Sequence, residues 1–290
     1  RVPNPFYGVI PRSSSLGDPT VPLAQLLKPY PQYTTVSLYR NNVGTTIYNG
    51  FYAKLEQRYS RGLSYLISYT RSTLEDDASS VFDRAILTGP VANAPVADSF
   101  NRSLERDDST GDIPHVLVAS AVWDLPAGRG RHLEPRGVLG ALVSDWSLTG
   151  ILTLQSGVPI AVTQSTNNNA FAGFGTQRPN LVGDPVLPSN HRSVSRWFNT
   201  AAFSAAPQFT LGSSSRNPVR GPSFRNLNVA LMRRIPMPGS TSMEVRVEAF
   251  NVTNTPPLGP PNGVFGTAAF GTITTAGDPR VVQVGLKYVF

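Results

Sequence analysis

Seven stretches of this 290-residue sequence, each nine to fourteen residues long, alternate apolar with polar residues over most of their length. A period of two is the signature of a strand with two unlike faces. In IYNGFYAKLEQRYS (47–60), Phe51, Ala53, Leu55 and Tyr59 share one face, while Tyr52, Lys54, Glu56 and Arg58 share the other. Arg61 and Gly62 then make a tight reversal into LSYLISYTR (63–71), which predicts a hairpin. The other stretches are IPHVLVASAVWDL (113–125), DWSLTGILTLQ (145–155), SFRNLNVALMRRI (223–235), SMEVRVEAFNV (242–252) and RVVQVGLKYVF (280–290). A weaker strand is predicted at YTTVSLY (33–39). The chain reads as all-β, with seven or eight strands.

Composition removes most competing classes. Charged residues make up 15% of the chain, against about 25% in ordinary soluble domains. With 25 glycines and 26 prolines the sequence is rich in turns and poor in helices. The absence of cysteine excludes disulfides, thiolate metal sites and cysteine nucleophiles. Apolar runs such as VLVASAVW (116–123) are too short for a membrane helix, but a membrane strand needs only about 9 to 11 residues.

The connections decide between a soluble sandwich and a membrane barrel. They are short at 61–62, long at 72–112, intermediate at 126–144, long at 156–222, short at 236–241 and long at 253–279. Outer-membrane barrels have short periplasmic turns on one side and long extracellular loops on the other, and here the long connections fall on one side. If the last strand descends to the periplasm, Tyr288 and Phe290 lie at that interface, and counting back brings Trp123, Trp146 and Tyr59 to it. Aromatic girdles are expected there; a sandwich core explains their phase but not their clustering at one end. The opposite phase carries Lys54, Glu56, Arg58, Glu244, Arg246, Glu248 and Lys287, so it is expected to face a wet or paired lumen. Arg233 falls in the apolar phase, near the periplasmic end.

The ordered motifs resemble a known family. NPFYGVI (4–10), QLLKPYPQYTTV (25–36), YNGFYAKLEQRYSRGLSYLISYTRS (48–72), IPHVLVASAVWDLPAGRGR (113–131), DWSLTGILTLQSGVPI (145–160), QRPNLVGDP (177–185), RWFNTAAF (196–203), VEAFNVTNTP (247–256) and PRVVQVGLKYVF (279–290) occur in the order of the TonB-dependent receptor-like outer-membrane proteins. The similarity is to the Oar-like type with a carboxypeptidase regulatory-like domain, common in Acidobacteria. It implies a 22-stranded barrel with a plugged lumen, energised by the inner-membrane TonB complex. Residues 1–290 are then expected to be the C-terminal part of that barrel, a transmembrane β-barrel segment of about eight strands, with plug and N-terminal domains lying outside it. The N-terminal RVPNPFYGVIPRSSS lacks the pattern of a signal peptide, consistent with that placement.

Chemistry is expected to be binding rather than catalysis, without cofactor or metal. His115, His132 and His191 show no ligand spacing, and GFGTQR (173–178) has Arg178 where a dinucleotide loop needs glycine. Glu244 and Glu248 flank Arg246, which suits a lumenal charge ladder and leaves a catalytic pair as the other reading. Arg196, Trp197 and Phe198 are either ligand contacts on a loop or packing within it. The net charge of +7 comes from scattered basic residues, the densest in GRGRHLEPR (128–136), which fits a polyanionic surface or lipid headgroups better than nucleic acid. The expected partners are outer-membrane lipid, the barrel assembly machinery reading Tyr288 and Phe290, the TonB complex and an unidentified bulky solute. A small closed barrel serving as a structural or adhesive surface protein is the alternative, and a hydrolase using loop carboxylates a third.

Overall fold

The computed structural model describes residues 1–34, 36, 44–77, 97–98, 101–128, 133, 137–169, 177–239 and 241–290. His132 and most of the predicted strand at 33–39 fall outside the described residues, as does most of GRGRHLEPR. Seven long strands are present: β1 (Thr46–Ser60), β2 (Leu63–Asp76), β3 (His115–Asp124), β4 (Trp146–Gln155), β5 (Phe224–Pro236), β6 (Ser242–Phe250) and β7 (Val281–Val289). Each lies beside its neighbours in sequence, so the sheet is an antiparallel meander running from β7 to β1. Its two edges, β1 and β7, do not pair with each other, and the barrel is not closed.

Six of the seven strands start and stop within two residues of the alternating stretches. The exception is β2, which continues to Asp76, five residues past its predicted end. There it pairs with Thr46 to Gly50 of β1 and with Asp107–Asp108. Backbone pairing, not alternation, sustains this extension. Turn chemistry closes the hairpins: Arg61 and Gly62 both have positive φ, 52° and 81°, as the right-handed twist of a two-residue hairpin requires.

The register fixes the tilt. Leu63, Trp123, Leu148, Leu231, Val247 and Val284 form one continuous row of partners from β2 to β7. Leu63 is the first residue of β2, whereas Pro236, Ser242 and Val289 each lie five residues beyond the row. The lower rim thus descends five residues over the five steps from β2 to β7, an average of one per strand. With about 3.3 Å per residue and about 4.8 Å between strands, this is a tilt of roughly 35°, the geometry of a barrel wall.

Hydrophobic burial is inverted relative to a soluble protein. Among the described residues, every buried apolar side chain lies outside the seven strands. The main cluster joins Ile160, Val162, Phe198, Ala202, Phe203 and Val219, with Phe265 and Phe270 against it. The strands instead expose their apolar residues, Val284 being 74% and Leu286 70% accessible. No helix is long and apolar enough to cross a membrane among the described residues. Replacing Gly62 by alanine puts a side chain in the left-handed region, where its Cβ would meet Asp124 O at 3.1 Å. Gly62→Ala should lower stability by about 1 to 2 kcal/mol, read as a lower urea midpoint of protein refolded in detergent.

Candidate functional site

Residues opposite each other in a sheet share a face, so the register places each candidate without ambiguity. Glu244 lies between Arg234 and Lys287, Arg246 between Met232 and Gly285, and Glu248 between Ala230 and Gln283. Arg246 bridges Glu244 at 3.3 Å and Glu248 at 3.4 Å, and Gln283 donates to Glu248. On the same face, but at the far edge of the sheet, Lys54 pairs with Glu56 at 2.8 Å, and Arg58 lies alongside. The charged phase is therefore two clusters separated by β2 to β4. Between them this face carries Ser64, Ser68, Ser120 and Thr149 together with an apolar patch, Leu66, Val118, Val122 and Ile151.

The aromatic residues gather at the lower rim, with one change of face. Trp123, Trp146 and Tyr288 stand in the apolar phase, and Tyr288 stacks on Phe290 with centroids 6.4 Å apart. Phe290 is 98% accessible. Tyr59 is a correction: the pairing shifts between Gln57 and Ser60, so that Arg58 and Tyr59 together oppose Ser64. Such a bulge turns the second residue onto the face of the first, and the Tyr59 hydroxyl donates to Asp124 on the charged face at 2.5 Å. Alternation alone predicts the opposite face because it cannot register one extra residue. Arg233 lies opposite Trp146, with its guanidinium 5.9 Å from that ring. Both donate to Leu142 O, at 3.2 Å and 2.8 Å, at the end of a short helix (Gly137–Val143) that the sequence pattern does not reveal.

At the opposite end, the described parts of the long connections form a cap. Thr163–Gln164 pairs with Val264–Phe265, Pro159–Ile160 with Val219–Arg220, and Asn180–Leu181 with Phe203–Ser204. Gly157 permits the crossing, since a Cβ there would lie 1.8 Å from Gly221 O. Phe198 is 2% accessible, in edge contact with Phe203 and Phe270 at 5.9 Å and 5.1 Å. This corrects its place among ligand contacts: it is the centre of the cap's core. Trp197 is partly buried, donating to Arg220 O at 2.8 Å, with the Arg192 guanidinium 5.7 Å from its ring. Arg196 stays exposed and bonds Asn199.

A set of ion pairs that sequence reasoning missed fastens this cap to the upper end of β2 and to the segment 105–112 that leads into β3. Arg216 pairs with Asp76, Arg178 with Glu105 at 2.5 Å, and Arg220 with Asp108 and Asp112, both at 2.5 Å. Asp112 also accepts from Leu74 N at 2.7 Å, and Asn217 Nδ2 donates to Asp108 O at 2.7 Å. The sequence signal was the acidic run ERDDSTGD (105–112), whose partners Arg178 and Arg220 lie more than 65 residues away. Arg178, the residue that breaks the dinucleotide motif, has this structural role. Just outside β2, the Arg102 guanidinium beside Asp77 holds that carboxyl below the ordinary carboxylate range, with Thr45 N adding a hydrogen bond.

Between cap and sheet lies a cavity of about 700 Å³. Ile113, Val158, Ile160, Phe224, Pro260 and Pro261 give it apolar walls; Thr163, Asn262, Thr274 and Thr275 supply hydroxyl and amide groups. None of its lining residues among the described ones is charged. It meets the sheet at Gln155 and Phe224, a register pair on the charged face. Its volume falls within the range of small-molecule sites. His115 bonds Tyr69, His191 ends an exposed turn, and no cluster of metal-ligating side chains occurs among the described residues.

A tilted antiparallel meander with exposed apolar and ladder-paired charged faces defines a transmembrane β-barrel wall. The family model described as an outer membrane beta barrel domain matches residues 7–283, and the chain belongs to that family. It is an integral protein of the bacterial outer membrane. No curated protein and no solved structure matches the chain. Removing one partner of a buried ion pair strands the other charge. Arg216→Ala should therefore cost about 3 to 5 kcal/mol, with the cap between 156 and 222 becoming the first site of limited proteolysis.

Proposed function

We propose that this chain is part of the barrel of a TonB-dependent, Oar-like outer-membrane receptor that takes up a bulky solute captured by its extracellular loops. The charged face lines the lumen and the apolar face meets lipid, because an outward Arg or Lys at mid-depth would cost about 2 to 4 kcal/mol. The observation that carries the receptor reading is the apolar patch of Leu66, Val118, Val122 and Ile151 on the inner face. An open aqueous channel would leave these side chains in water, whereas a plug covers them. The uncharged cavity beneath the cap is the first contact for solute, and the ion pairs hold its roof in place. This reading assigns no catalysis to the chain.

Among the described residues the outer edges of β1 and β7 find no partner strand, which supports further strands in the same wall, since bare N–H and C=O groups in lipid each cost several kcal/mol. A small closed barrel with a structural or adhesive role would instead join these two edges and fill its interior with the apolar patch. Cysteines placed along both edges of the full-length protein in its native membrane separate the two. The receptor reading expects no disulfide between them and capture of the receptor by the periplasmic domain of TonB. A β1 to β7 disulfide, or failure to bind TonB, overturns it.

The closing strand supplies a second test. Phe290, exposed and stacked on Tyr288, is the proposed contact for the barrel assembly machinery. Deleting Phe290 from the full-length protein should lower its amount in the outer membrane severalfold, measured by surface labelling; unchanged levels refute the assignment.

A further inference from the structure

The apolar face carries an unexpected line of three arginines and a histidine at its upper end. Arg71 and His115 are direct partners across β2 and β3. Arg225 lies opposite Leu154, itself opposite Leu117, in the same phase. Arg280, two residues before Val282, continues that phase above β7. All four are exposed.

Their heights agree once the tilt is included. Arg71 and His115 lie eight residues above the Leu63 to Val284 row, Arg225 six and Arg280 four. Because the rim drops one residue per strand from β2 to β7, the four stand within about one residue of a common level. That level is roughly 25 Å above the lower rim, the height of the apolar band of a bacterial barrel.

No acid of the sheet offsets them. Glu75, the one carboxylate in this phase of the seven strands, lies four residues above Arg71 and pairs with Arg106 at 3.3 Å. The Tyr69 hydroxyl and His115 Nδ1 are 2.8 Å apart, with the two rings stacked, which fixes the imidazole at the surface. Arg233, the other outward arginine of the sheet, is accounted for by Trp146 and Leu142 at the lower rim.

We propose that Arg71, His115, Arg225 and Arg280 form a belt that binds phosphate groups of outer-leaflet glycolipid headgroups. Guanidinium groups match phosphate oxygens in charge and bidentate geometry. Residues at this level sit where acyl chains end and headgroups begin, so the lipid supplies the counter-charge that the strands lack. The apolar rows below, from Leu117 and Leu154 down to Trp123 and Trp146, receive the acyl chains. The belt thus selects a lipid with several chains beneath a phosphorylated headgroup.

This inference rests on the assignment of the apolar face to lipid, and the experiment tests the two separately. The full-length protein is purified in neutral detergent and titrated with bisphosphorylated lipid A, with lipid A stripped of both phosphates and with inorganic phosphate. The belt expects tight, salt-sensitive binding of the bisphosphorylated form alone, at least tenfold weaker in Arg71→Gln/Arg225→Gln and retained in Arg71→Lys/Arg225→Lys. Equal binding by the Gln variant, or equal binding of the dephosphorylated lipid, overturns the belt; competition by millimolar inorganic phosphate would reduce it to a general anion site and overturn the lipid assignment. In parallel, fluorophores on Val284→Cys and Lys287→Cys are exposed to nitroxide lipids in bilayers. Quenching at 287 rather than 284 overturns the orientation itself, whereas quenching at 284 with unaltered lipid A binding in the Gln variant sinks the belt alone.

Discussion

Backbone N–H and C=O groups that enter hydrocarbon find no water, so each must be paired within the protein. The rest of this structure depends on that constraint. It explains why the membrane-crossing segments are strands bonded to their sequence neighbours, and why the hydrophobic side chains of those strands are exposed rather than buried. In water such a sheet would bury its apolar face in a core; in a bilayer the lipid takes that role.

Where the strands leave the bilayer, ordinary rules return. The cap has a core of its own, with Phe198, Phe203, Phe265 and Phe270 in edge-to-face contacts. Its attachment to the upper end of β2 and to the segment 105–112 is polar: Asp76, Glu105, Asp108 and Asp112 meet Arg216, Arg178 and Arg220. Such pairs are costly to half-remove and confer directional specificity on loops that otherwise have little secondary structure. The uncharged cavity between cap and sheet is a product of this docking, since its walls come from segments up to 165 residues apart.

The faces of the wall were legible from the sequence wherever the period of two was unbroken. Glu244, Arg246, Glu248 and Lys287 fall on one face by counting alone, and the register brings them into contact. Tyr59 was not legible, because a single inserted residue at the bulge reverses every later assignment in a strand. Phe198 was ambiguous in sequence for a different reason. An aromatic residue in a Gly/Pro-rich loop has no periodicity to say whether it faces solvent or a partner, and its partners Phe203 and Phe270 include one that is 72 residues away.

By itself, the sequence determined the seven long strands of the described residues, their alternation and the side on which long connections emerge. Those properties follow from local patterns, in which each residue's face depends on its neighbours two positions away. Only the tertiary structure decided the tilt, the bulge at Tyr59, the order within the loops and the common level of Arg71, His115, Arg225 and Arg280. Each of these depends on register between strands or on contacts between distant loops. Such contacts are set by the geometry of pairing, which one-dimensional alternation does not contain.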